Sequence, residues 1–143
     1  MGTKKNTRHN ISIGEVYLVN FAGSGTEQQG VRPCVIFQNA VGNEHSPNVV
    51  VLPITSAIKH TGQPTHVVLP ASETGLMYDS MVLCENPNTL SKSKLGRYLT
   101  TIPHKYLKQI AEAQVLASSA IAFLDAERLV KVWEKSQTLN TVA

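Results

Sequence analysis

Six runs rich in β-branched and aromatic residues crowd into the stretch from Val16 to Ile102, and no helix-length segment separates the early ones. Parallel neighbours need a crossover of a dozen or more residues, so this spacing points to antiparallel pairing. The runs are Val16–Phe21, Val31–Gln38, Asn48–Ile54, Thr65–Leu69, Ser80–Glu85 and a short Leu99–Ile102. Within the third, Val49-Val50-Val51-Leu52 is unbroken by any polar residue and predicts a strand buried on both faces. Ala22-Gly23-Ser24-Gly25-Thr26 reads as a mobile glycine-rich loop, and Asn39-Ala40-Val41-Gly42-Asn43 as a break between strands.

From Pro103 the period changes to that of a helix. Leu107, Ile110, Ala111, Gln114 and Val115 recur at helical spacing, and Pro103 suits a first turn. A second helical stretch spans Ile121–Trp133, with a frayed tail after Lys135. The expected architecture is mainly β with C-terminal α: a small, strongly bent barrel of roughly five to seven strands in residues 14–102, with helices appended. Residues 1–12 form a flexible arm, 13–118 the barrel domain and 119–143 an additional C-terminal helix and tail. The expected core includes Val16, Leu18, Val35, Val50, Leu52, Val82 and Leu107.

Composition narrows the classes. A chain of 143 residues, 42% apolar and 16% charged, has the make-up of one globular domain. The formal charge of +3 leans toward a polyanionic partner without establishing one. No apolar run is long enough to span a membrane, and the polar, basic Met1–Asn10 lacks the apolar stretch of a signal peptide; the cytoplasm is the default location. Cys34 and Cys84 each lie inside an apolar run and read as buried thiols. The five histidines are scattered, without zinc-site spacing, so no metal is expected.

Two signatures carry chemistry. Glu27-Gln28-Gln29-Gly30-Val31-Arg32-Pro33 sets an arginine at the mouth of a strand, and Pro53-Ile54-Thr55-Ser56 sets a threonine at the end of the next. Arg32 and Thr55 can thereby meet at one end of the sheet and hold a phosphate diester. Taken singly, such an arginine is more often a surface ion-pairing residue, and such a threonine an ordinary strand-end hydroxyl.

The ordered succession of motifs reverses that. Gly14-Glu15-Val16-Tyr17, Thr26 to Pro33, Gln38-Asn39, Gly42-Asn43, Ser46-Pro47, Pro53-Ile54-Thr55-Ser56, Pro64-Thr65-His66-Val67, Gly75-Leu76 and Asp79-Ser80 together resemble the MazF/PemK family, with a weaker match through Leu90–Gly96. The resemblance covers roughly residues 13–118. It implies a homodimer of SH3-like barrels of the MazF/PemK/CcdB type. It also implies a sequence-specific endoribonuclease toxin that cuts single-stranded RNA without metal or cofactor, by attack of the 2′-hydroxyl. On that pattern Arg32 and Thr55 are catalytic, and Thr26, Glu27, Gln28 and Ser56 contact RNA. The implied inhibitor is a cognate antitoxin with an acidic, partly disordered segment. The general base stays unassigned, with Glu27 or a histidine as candidates.

Two departures stand out. Gln29 occupies a position where the family commonly has glycine, and Glu85-Asn86-Pro87-Asn88-Thr89 replaces the frequent Glu-Gln-Ile-Arg-Thr. Two rivals share the same barrel: a toxin that binds a protein such as DNA gyrase, and a relative that binds RNA or antitoxin without cutting.

Overall fold

The computed structural model describes residues 11–23 and 29–142. Seven strands, β1 (Glu15–Ala22), β2 (Gln29–Ile36), β3 (Asn48–Thr55), β4 (His66–Leu69), β5 (Ser80–Leu83), β6 (Asn88–Ser91) and β7 (Leu95–Thr101), form one antiparallel sheet. Its order is β4-β5-β3-β2-β1-β7, with β6 paired to β3 off this path. Pairing of the first strand with the last bends the sheet toward the expected small barrel.

Strand β3 explains the curvature. Its first half, Asn48–Val51, pairs with β6, while Ile54 and Thr55 pair with β5. One strand thus serves two partners on the same edge, and the Val49–Leu52 run is buried or half-buried throughout, as its unbroken apolar character requires. Alternation splits the core in two. Val16, Val35, Leu52, Ile54 and Val82 gather on the face beneath the long helix, and Tyr17, Val19, Cys34, Ile36, Val49 and Val51 on the other. Each fully buried Val, Leu or Ile contributes about 1.5–3 kcal/mol. Of the expected core, Val16, Val35, Leu52 and Val82 are fully buried, whereas Leu18, Val50 and Leu107 are half-buried.

Several element boundaries differ from the sequence reading. The segment after Gln38 is helix α1 (Ala40–His45), not a break. The Asn39 side chain caps it by accepting from the Gly42 N–H at 2.8 Å, and buried Lys92 donates to the carbonyls of Gly42 and Asn43 at 3.1 and 2.5 Å. Those contacts come from 50 residues away, beyond the reach of local pattern reading. Strand β6 was also unforeseen, and β7 begins at Leu95 rather than Leu99.

After the short helix α2 (Ala71–Thr74), the long helix α3 (His104–Ala117) buries Tyr106, Ile110 and Ala113, one stripe over two turns. Gln114 anchors its far end by donating to the Cys84 carbonyl at 2.6 Å. Helix α4 (Ala126–Val142) starts later than Ile121 and continues through the segment expected to fray. The Asp125 side chain accepts from the Arg128 N–H at 3.1 Å and so caps it. Every residue from 126 to 137 is exposed. Among the described residues, no helix is long and apolar enough to cross a membrane.

Candidate functional site

Arg32 is the fourth residue of β2, because the strand begins at Gln29 rather than Val31, and the ladder with β1 pairs Arg32 with Val19. The last β2–β3 pair is Cys34 with Pro53. Two residues further along the same register, Arg32 stands across from Thr55, the final residue of β3. Directly opposed residues of an antiparallel pair point to one face, so this register sets both on the side of Val19 and Cys34. The Cys34 thiol agrees: burial pushes its pKa up to about 12, and the Arg32 charge pulls against that rise. Thr55 is half-buried, and its hydroxyl accepts from the Ala57 N–H at 3.1 Å, closing the turn that ends the strand.

A cavity of about 580 Å³ borders Arg32 and is lined by residues of the opposite sheet face, Leu18, Pro33 and Ile54. Leu99, Ser56, Met77, Tyr78 and Arg97 complete its lining. Thr55 is not among the lining residues. Volume and apolar lining with a few polar groups are those of a ligand pocket.

The wall is held firmly. Gly75 takes the left-handed conformation at φ 80° that ends α2, and Thr100 of β7 donates to the Thr74 carbonyl at 2.9 Å. Ser80 donates to the Tyr78 carbonyl at 2.8 Å, and Asp79 accepts from the Ala71 N–H at 2.8 Å. On the other side, β7 carries a bulge. Tyr98 pairs with Tyr17 and Leu95 with Val19, which leaves Gly96 and Arg97 together opposite Leu18. A Cβ on Gly96 would sit 2.8 Å from the Leu18 carbonyl oxygen, so only glycine permits this approach.

Of the other sequence-derived candidates, Ser56 is exposed and lines the cavity. Thr26, Glu27 and Gln28 lie outside the described residues. Met77, Tyr78 and Arg97 escaped sequence reasoning; the single local hint was a glycine inside a strand pattern, at Gly96. Glu85, the first residue of the divergent segment, holds His66: Oε2 lies 3.0 Å from Nε2, while Nδ1 faces the His60 carbonyl at 3.0 Å. Burial lowers the pKa of His66, but the Glu85 carboxylate and the carbonyl outweigh it and raise the net value. Cys34 and Cys84 are buried free thiols. Among the described residues, no three His, Cys, Asp or Glu side chains group as a metal site.

Comparison with known proteins places this geometry. Residues 12–117 match the family model of PemK-like, MazF-like toxins of type II toxin–antitoxin systems. The endoribonuclease MazF of Staphylococcus saprophyticus subsp. saprophyticus is 42% identical over 101 residues, which is 70% of this chain and 84% of that protein. Two solved structures superpose with a TM-score of 0.65: a mycobacterial endoribonuclease in complex with its cognate antitoxin, and MazF from Deinococcus radiodurans. Their identities are 27% and 25%; each match covers 76% of this chain, against 95% and 96% of theirs. The chain is therefore a member of the PemK/MazF toxin family of type II toxin–antitoxin systems.

Proposed function

We propose that the protein is a metal-independent, sequence-specific endoribonuclease toxin that cleaves single-stranded mRNA and is silenced by a cognate antitoxin. The observation that carries this reading is the β2–β3 register, which leads Arg32 to the strand position opposite Thr55. In the reaction, the ribose 2′-oxygen bonds to the adjacent phosphorus and the bond from phosphorus to the 5′-oxygen breaks. The 2′-hydroxyl loses a proton to a base and the leaving 5′-oxygen gains one, giving a 2′,3′-cyclic phosphate and a 5′-hydroxyl. The phosphorane between them carries extra negative charge on its non-bridging oxygens. The Arg32 guanidinium donates two parallel hydrogen bonds to those oxygens and stays protonated throughout. The Thr55 hydroxyl adds a neutral donor, and Ser56, Thr26, Glu27 and Gln28 contact the RNA.

The reading includes a homodimer, an acidic, partly disordered antitoxin segment that covers Arg32, and action in the cytoplasm. Apolar side chains left uncovered on the single chain, Phe123 at 87% and Trp133 at 59% exposure, support association with further protein. Sedimentation that shows a monomer at micromolar concentration would count against the dimer.

Incubation of purified protein with long single-stranded RNA and EDTA tests the catalytic reading. Cleavage persists in chelator, and the upstream product ends in a cyclic phosphate. Arg32→Ala loses a hundredfold or more in rate. Arg32→Lys also fails, because a point charge cannot reproduce the paired donors, and Thr55→Val slows cleavage less. Undiminished cleavage by Arg32→Ala would refute the site; a parent protein that cuts no RNA would refute the activity.

A further inference from the structure

We infer that the C-terminal extension is a self-association surface, on which the apolar face of α4 packs in parallel and in register against the α4 of a second copy. The inference is independent of the proposed RNA cleavage. It also goes beyond a dimer of barrels, because the residues it uses lie outside 12–117, the span shared with the family.

Uncovered area is the first argument. Every residue from 121 to 137 is exposed, including Phe123, Leu124, Leu129, Val130, Val132 and Trp133. Together with Leu116 and Ile121, these side chains present roughly 800 Å² of surface, against about 300–600 Å² for the largest apolar patch on a typical monomer. A standard interface takes about 800 Å² from each copy, so the extension alone carries what a stable pair needs.

Charge placement selects the occupant. At about 3.6 residues per turn, Leu129, Val130, Val132 and Trp133 fall on one face of α4, roughly 160° wide. Glu127 and Glu134 border that face beside Val130, Arg128 and Lys135 border it beside Val132, and Lys131 lies at the back. The face therefore has one acidic edge and one basic edge. Such nearly balanced charge gives no single-sign field for RNA, an anionic membrane or an acidic segment. Another α4 fits it edge to edge. Parallel pairing about a two-fold axis brings the acidic edge of each copy beside the basic edge of the other, whereas antiparallel pairing would set acid beside acid.

Construction is the third argument. Left-handed Ser119, at φ 61°, and the single turn Ala120–Ala122 lead the chain out of α3, and the Asp125 cap then opens α4 as a separate helix. Helices of this length draw most of their stability from packing an amphipathic face, and residues 126–137 are exposed on the single chain. A second copy supplies that packing.

Sedimentation equilibrium of the full chain tests the surface. The double variant Leu129→Glu/Trp133→Glu halves the mass of the assembly and weakens association about a hundredfold. Both residues are exposed, so its circular dichroism and its RNA cleavage stay parental. Ser136 lies on the same face, and Cys34 and Cys84 are buried, so Ser136→Cys offers one reactive thiol per chain. Parallel pairing sets the two introduced thiols together, and a short bismaleimide links them; antiparallel pairing centred on the stripe carries them roughly 15 Å apart.

Parental mass in the double variant would overturn the inference and leave the cleavage reading standing. A halved mass without cross-linking at Ser136→Cys would overturn the parallel arrangement. Parental mass combined with lost binding to an acidic amphipathic peptide, or to phosphatidylglycerol vesicles, would overturn it in favour of an antitoxin or a membrane surface. A parent that assembles through α4 but cuts no RNA would keep the interface and refute the catalysis.

Discussion

Substituting Gly96 by alanine tests whether the bulge is as tight as it looks. The added Cβ would lie 2.8 Å from the Leu18 carbonyl oxygen, against 3.4–4 Å for ordinary contact, so the strands must part by about 0.6 Å. That oxygen is backbone in β1, which is held by β2 on one side and β7 on the other, and neither neighbour can yield without losing ladder bonds. Overpacking of this kind costs about 1–3 kcal/mol. For a domain of this size each kcal/mol lowers Tm by roughly 2–4 °C, so Gly96→Ala should melt about 2–12 °C below the parent. Gly62→Ala is the control, because a Cβ there meets nothing within 4 Å and its φ is not positive. It should hold or slightly raise Tm by restricting the unfolded chain. Thermal unfolding followed by circular dichroism reads both. A Gly96→Ala melting point within a degree of the parent would refute the argument from close approach.

The His66–Glu85 pair gives a pH signature: with the folded-state pKa of His66 raised, its stabilisation is complete below the ordinary histidine value and is lost as pH climbs through the raised one. Melting temperature should therefore fall from pH 6 to pH 8 more steeply in the parent than in His66→Gln, and equal slopes would sink the assignment. Cys34 and Cys84, buried with pKa values pushed up to about 12, should resist iodoacetamide at pH 8 in the native protein and react fully in guanidinium, as mass spectrometry would show. Truncation after Ser118 should leave Tm within a few degrees, because every residue from 126 to 137 is exposed; a collapse in stability would show that α4 supports the fold.

Much of this architecture is legible in the sequence. The unbroken Val49–Leu52 run announces a strand covered on both faces, and Arg32 and Thr55 can be matched from two short motifs. What stayed hidden was set by contacts between distant residues. Two carbonyls of helix α1 are held by Lys92, and β6 exists as a strand because β3 offers it a partner at Val49–Val51. Leu107 packs half-buried against the core as its period suggests, while the fully buried stripe of α3 runs through Tyr106, Ile110 and Ala113. Arg97 and Tyr78 carry no motif; only the bulge and the left-handed Gly75 bring them to one wall.

Closure of β1 by β7 also governs when the molecule becomes competent. Val16 pairs with Thr100 and Glu15 with Thr101, contacts between the two ends of the barrel sequence. Long-range pairings of this kind form late, since the chain entropy of closing the loop is lost before the contacts repay it. During synthesis, from the N-terminus onward, β1 and β2 can meet early and bring Arg32 into its ladder, but the wall bearing Arg97 waits until residue 101 has emerged. A member of a toxin family thereby completes that wall only once the last strand of its barrel has been synthesised.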